Sequence, residues 1–170
     1  QFTAAYCTTL EKKSIVLGGD TRPSAPMVRR LVMAACAATG TTVYDLGIVP
    51  TPTVGYMARE MDVGGGIAIT ASHNPVQWNA LKFFNADGTF ISADRMDAVL
   101  DIRDRRAFDY QSVEQLGGVR KVEHPTRVHM HKILEIMDVE AIRRKPFQVV
   151  IDLCNGAGVT MLPELLDEFG

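Results

Sequence analysis

Ala68-Ile69-Thr70-Ala71-Ser72-His73-Asn74-Pro75, followed by Asn79-Ala80-Leu81-Lys82-Phe83-Phe84, puts a nucleophile-capable hydroxyl in a turn between two apolar runs. Gly66 to Ile69 reads as a short buried strand and Ala80 to Phe84 as another, with Asn74-Pro75 turning the chain between them. The connection is too short to hold a crossover helix, so the strand carrying Lys82 is expected to return antiparallel beside the strand ending at Thr70. Ser72 then sits at a strand's carboxyl end, the edge where open α/β sheets bind ligands and where loops on a rigid scaffold carry reactive groups. On spacing alone a second reading stays open: an ordinary strand connection whose Ser and Asn satisfy local backbone groups.

Outward from this stretch the pattern alternates. Ser14 to Gly18 reads as a strand, Ser24 to Thr39 as a helix with Met27, Leu31, Val32, Ala35 and Cys36 at helical spacing, and Thr42 to Leu46 as a strand. Pro52 to Glu60 is a second helix with Pro in its first turn. Strand, helix, strand, helix, strand implies right-handed crossovers and a mixed, mostly parallel sheet inside a three-layer α/β/α domain. Asp87-Gly88 supplies a tight turn, and Ala93 to Arg106 reads as a charged helix whose Asp101 to Arg106 run is a solvated face. Tyr110 to Val122 is expected to be an irregular connection, and Pro125 opens a further helix from Arg127 to Met137. A second short helical stretch leads to Pro146 and a new strand, Phe147 to Ile151. The expected organisation is one domain over residues 1–145, with residues 146–170 as the first β-α unit of a second, similar domain.

Composition is that of an ordinary globular chain able to bury a real core. Eighteen Lys plus Arg against 20 Asp plus Glu leave a net charge of -2, so no basic field draws nucleic acid or an anionic membrane. No apolar run reaches the roughly 18 residues of a membrane helix, and no signal sequence opens the chain. Cys7, Cys36 and Cys154 are odd in number and lie in apolar segments, which reads as buried free thiols in a reducing cytoplasm. His129 and His131 are two apart on the expected helix and point to different faces, unlike a zinc-binding pair.

The string T-A-S-H-N-P, Thr70 to Pro75, with N-x-x-K from Asn79 to Lys82, resembles the phosphoserine loop of the α-D-phosphohexomutases, the superfamily of phosphomannomutase, phosphoglucomutase and phosphoglucosamine mutase. Two further segments agree in order: Gly18-Gly19-Asp20-Thr21-Arg22 is similar to the family's G-x-D-T-R segment, and Asp152 to Gly158 to the D-x-x-N-G-A-G opening of its second domain. Where many members have Gly after the Asn, this chain has Ala80, which would be strained if that position needed a left-handed backbone.

The resemblance implies an enzyme that shifts phosphate between the 1- and 6-hydroxyls of mannose or glucose through a bisphosphorylated sugar. It makes Ser72 the phosphate carrier, Lys82 the group implicated in proton transfer, Arg22 a phosphate clamp through its planar fork, and His73 a donor to the phosphate or an orienter of the loop. Phosphoserine and a sugar 6-phosphate are both ordinary monoesters, so such transfer rests on positioning and on spreading positive charge around the phosphoryl group. Asp20 is expected to cap its loop or pair with Arg22. The family's Mg²⁺ is held by a phosphoserine oxygen and an aspartate-rich loop absent from these residues, leaving Ser72 as the metal contributor here. A glucose or mannose 1,6-bisphosphate activator, a phosphosugar partner and a cytoplasmic location are further expectations. Gln1 and Gly170 read as cut ends, so the 170 residues alone are expected to be catalytically silent, with the terminal β-α unit a reason for self-association.

Three other readings are weaker. A non-catalytic interaction or phosphosugar-binding domain would need neither Ser72 nor Lys82 on its surface. A serine hydrolase wants G-x-S-x-G, and Thr70 to Asn74 has neither glycine. A nucleotide-binding loop wants G-x-G-x-x-G, and Gly156-Ala157-Gly158 is followed by Met161 in the third position.

Overall fold

The computed structural model describes residues 1–170. Its centre is a five-stranded sheet in the order β4-β3-β1-β2-β5, from β1 (Ser14–Gly19), β2 (Thr42–Ile48), β3 (Gly65–Ile69), β4 (Leu81–Asn85) and β5 (Val119–Lys121). β1 pairs in parallel with both β2 and β3, β5 in parallel with β2, and β4 runs antiparallel to β3 with Ala68 opposite Lys82. The expected mixed, mostly parallel sheet and the antiparallel return after Ser72 are both present.

Side-chain alternation separates the two faces. Ile15, Leu17, Ile67, Ile69 and Phe83 point to one side, where α1 (Phe2–Thr8), α2 (Ala25–Ala38) and α4 (Ala93–Arg105) cover them with Tyr6, Cys7, Val32, Cys36 and Val99. Val16, Ala68 and Phe84 point to the other side, against Val54, Met57 and Ala58 of α3 (Thr51–Glu60). α5 (Pro125–Ile136) packs outside α3, and α6 (Val139–Arg143) and α7 (Leu162–Phe169) pack on each other. At Gly65 no side chain fits, because a Cβ there would lie 2.0 Å from the Tyr6 hydroxyl, which donates to Phe84 O at 2.6 Å and accepts from Gly66 N at 3.1 Å.

Four expectations are corrected. Phe147 to Ile151 is not a strand, and Val150 is 99% exposed, because apolar periodicity reports a wish to be buried and no sheet edge lies alongside to pair with it. The connection Tyr110 to Val122 contains β5, a short, charged, exposed edge strand with too little apolar pattern to be seen. On α2, Met27 and Leu31 are exposed and burial centres on Ala25, Val32 and Cys36. Cys7 and Cys36 are buried free thiols with their sulfurs 3.6 Å apart, but Cys154 is exposed. The run Asp101 to Arg106 is the solvated face expected, laced by Arg105–Asp101 and Arg103–Asp104 pairs.

Candidate active site

β1 is flanked by β2 on one side and β3 on the other, and the helix leaving β1 lies on the opposite face from the helix that leads into β3. The loops after β1 and β3 therefore meet at the sheet's topological switch point, the crevice where open α/β sheets bind ligands. Asp20 to Ser24 comes from the first loop and Thr70 to Ala80 from the second.

Ser72 stands at φ +56°, in the left-handed region, where a residue with a Cβ costs about 1–2 kcal/mol. Ala80 is not left-handed, so the position that carries backbone strain in this loop is the serine itself. A closed ring of hydrogen bonds holds it there. Ser72 N donates to Thr70 Oγ1 at 3.0 Å, Thr70 Oγ1 donates to Asp20 Oδ2 at 2.7 Å, and Asp20 Oδ2 accepts from Arg22 Nε at 3.0 Å. Arg22 Nη2 then donates to Ser72 O at 2.7 Å, closing the ring.

The other Arg22 donors go to the same loop: Nη2 to Asn74 O at 2.8 Å, Nη1 to Pro75 O at 2.9 Å and to Trp78 O at 3.0 Å. All five side-chain N–H groups of Arg22 are thus taken, and its side chain is only 10% exposed. The resemblance made Arg22 a phosphate clamp; here its fork grips the backbone of the loop, and a phosphate contact would require the loop to give up one of these carbonyls. Asp20 has both expected roles, accepting Arg22 N at Oδ1 and pairing with its guanidinium.

The remaining predicted residues surround Ser72. His73 is exposed, with Nδ1 3.4 Å from Ser72 Oγ, at the outer limit of a hydrogen bond. Lys82 lines one cavity with Ser72, Asn74, Trp78 and Asn79, of about 370 Å³, and its ammonium makes no ion pair or hydrogen bond, lying only over the Phe90 ring at 6.0 Å. A second cleft of about 720 Å³ on the other side of Ser72 is walled by Asp20, Arg22, His73 and the segment Leu153 to Ala157. Thr21 Oγ1 donates to Asn155 O at 2.8 Å, which brings the D-x-x-N-G-A-G segment to the serine.

Sequence reasoning missed Thr70, Ser24 and Trp78. Thr70 and Ser72 form a Thr-x-Ser pair of the kind that bonds its own backbone two residues on, and that pairing is the one signal the sequence carries for them. Ser24, which accepts from Asn79 Nδ2 at 2.9 Å and ties the two loops together, has none.

Among residues 1–170 no group of three or more His, Cys, Asp or Glu side chains could hold a metal ion. Asp20, the carboxylate beside the serine, is committed to Arg22 and Thr70. An oxygen on a phosphorylated Ser72 is what this chain would offer a cation, and its own residues do not compose a metal site.

A three-layer α/β/α fold thus carries, at its switch point, a strained hydroxyl that lines two cavities, one of them shared with an unpaired ammonium. The family model for phosphoglucomutase/phosphomannomutase, alpha/beta/alpha domain I, matches residues 1–109. The chain belongs to this family, within the α-D-phosphohexomutase superfamily. It is 36% identical over 161 residues to a phosphoglucomutase/phosphomannomutase of Thermococcus kodakarensis, with 94% of this chain and 35% of that protein covered. It is 35% identical over 173 residues to a phosphoglucosamine mutase of Methanococcus aeolicus, with 99% of this chain and 36% of the other covered. Among solved structures, a phosphoglucomutase/phosphomannomutase family protein from Burkholderia thailandensis superposes with a TM-score of 0.84 at 21% identity, over 99% of this chain and 37% of that one, a likeness of fold. The chain spans about a third of the length of the relatives it matches.

Proposed function

We propose that the full-length protein carrying this chain is a phosphohexomutase, interconverting hexose 1-phosphate and hexose 6-phosphate through a phosphoserine at Ser72. The observation that carries the reading is the hydrogen-bonded ring that holds Ser72 left-handed at the switch point, on a cavity it shares with an unpaired Lys82. Strain of this kind persists where the surroundings over-determine it, and Ser72 lines both cavities while its own backbone groups are satisfied by Thr70 and Arg22.

In the transfer, the Ser72 Oγ–P bond breaks as a bond from phosphorus to a sugar hydroxyl oxygen forms. The proton of that hydroxyl passes to solvent, and Ser72 Oγ takes one from the Lys82 ammonium to become the alcohol, a proton the reverse transfer returns to the Lys82 amine. Reversal with the sugar's other phosphate restores phosphoserine and completes the 1-to-6 shift. The ammonium of Lys82 spreads positive charge at the phosphoryl group and donates a proton to the oxygen that departs, and His73 Nδ1 lies next to the serine oxygen. Mg²⁺, bound through a phosphoserine oxygen and ligands outside residues 1–170, would add further charge stabilisation. A glucose or mannose 1,6-bisphosphate would load Ser72, in a cytoplasmic enzyme.

The reading takes mannose and glucose phosphates as the sugars, following the family description that matches residues 1–109. Glucosamine phosphate is the second reading, because several similar proteins carry the name phosphoglucosamine mutase. Values of kcat/KM on mannose, glucose and glucosamine 1-phosphates, measured side by side, decide between them. Intact mass should show phosphate on Ser72, and Ser72→Ala should lose the phosphate and nearly all turnover while keeping the fold. Undiminished transfer in that variant would sink the assignment.

A further inference from the structure

Trp78 is the only tryptophan among the 170 residues, and it is 62% exposed although the sheet beside it buries Phe83 and Phe84 almost completely. A large ring left in water on a short loop is an unusual placement, since Trp is on average a highly buried residue. Its backbone is not loose. Trp78 N donates to Pro75 O at 3.0 Å, and Trp78 O accepts from Arg22 Nη1 at 3.0 Å, so the turn that carries the ring is fastened to the same guanidinium as Ser72.

The ring lines the cavity of about 370 Å³ that also holds Ser72, Asn74, Asn79 and Lys82. Asn79 is fixed from behind by Ser24, and Lys82 brings the free cation. The cavity thus combines one broad apolar side chain with amides, a hydroxyl and an ammonium, in a volume within the range of small-molecule sites. A hexopyranose phosphate has the matching character: an anionic group, a rim of hydroxyls, and faces of axial C–H bonds that shed water well against an aromatic ring.

We propose that the indole of Trp78 packs on the C–H face of the hexose ring whose hydroxyl exchanges phosphate with Ser72, and so positions that hydroxyl. This rests on the mutase reading above. The ring acts in binding and orientation, with no part in bond making. Because the contact is apolar and shape-based, it favours any pyranose with a flat C–H face and rejects a phosphate that carries no ring.

The test uses the full-length protein in three forms: wild type, Trp78→Ala and Trp78→Phe. For each, kcat and KM are measured on a hexose 1-phosphate, with the Ser72 phosphate level read by intact mass. Loss of the ring should raise KM about tenfold, the worth of one aromatic contact, with the Ser72 phosphate level unchanged. Trp78→Phe should recover most of that affinity. A KM for Trp78→Ala within twofold of wild type overturns the inference. So does a fall in Ser72 phosphate and kcat at constant KM, which would make Trp78 a brace of the loop. A wild-type protein that fails to move phosphate between the 1- and 6-positions sinks the mutase reading itself, and this inference with it.

Discussion

Arg22→Ala tests whether the guanidinium holds the loop or waits for phosphate. In the structure it donates to four carbonyls, those of Ser72, Asn74, Pro75 and Trp78, and to Asp20. Bonds from a charged donor contribute about 1.5–3 kcal/mol each at best, and the four carbonyl bonds lie at an exposed loop, so a total of about 3 kcal/mol is a fair working value. Against it stand the left-handed Ser72, about 1–2 kcal/mol, and the ordering of the loop backbone at about 1–2 kcal/mol per residue. The ordered loop is therefore close to balance with Arg22 in place, and a loss of about 3 kcal/mol lowers the competent fraction on the order of 100-fold. In the full-length protein, kcat/KM for the hexose 1-phosphate should fall by that order. Hydrogen exchange at the amides of Ser72, Asn74 and Trp78 should speed up, while the melting temperature moves little because the loop lies outside the core. Arg22→Lys should sit close to Arg22→Ala, since a lysine cannot reproduce the planar fork. If loop amide protection in Arg22→Ala equals that of the wild type while phosphate affinity drops, the loop-holding role is refuted and Arg22 is a phosphate ligand.

Ser72→Gly should remove turnover yet slow loop hydrogen exchange relative to Ser72→Ala, by about 1 kcal/mol of relieved left-handed strain; equal exchange in the two variants would count against strain at that position. Tyr6→Phe removes the hydroxyl that bridges Phe84 O and Gly66 N across the β3–β4 pair, and should cost about 1–3 kcal/mol in stability, seen as a lower melting temperature. His129 is half-buried, stacked on Tyr56 with Nδ1 2.9 Å from Thr53 Oγ1, and burial lowers its pKa. The unfolded chain then takes up the proton at higher pH than the folded one. Its contribution to stability is full above about pH 6.5 and is lost as pH falls from there through the lowered value. Melting temperature should fall between about pH 7.5 and about pH 5.5, and His129→Gln should flatten that fall.

Much of the site was legible before any coordinates. Ser72, Lys82 and His73 are contributed by one continuous motif, and a hairpin too short for a crossover returns Lys82 opposite Ala68, into a cavity it shares with the serine. The alternation of strands and helices made the carboxyl edge of the sheet the place to look. Arg22 was legible by motif as a neighbour of the serine, but not in what it does. Its five partners are four carbonyls and a carboxylate, and backbone carbonyls carry no residue identity for a sequence to display.

The sequence by itself determined the elements whose signal is local: the short apolar runs of β1 and β3, the turn at Asn74-Pro75 and the proline that opens α3. It also determined the chemistry of the loop, since hydroxyl, imidazole and ammonium lie within eleven residues of one another. Tertiary structure alone decided that β5 adds to the edge of β2, that Phe147 to Ile151 joins no strand, and that Met27 and Leu31 stay in water. It alone decided that Ser72 rather than Ala80 is left-handed. Those outcomes depend on which distant segment arrives alongside. Pairing and burial are properties of two surfaces meeting, whereas periodicity and turn chemistry are written along one chain.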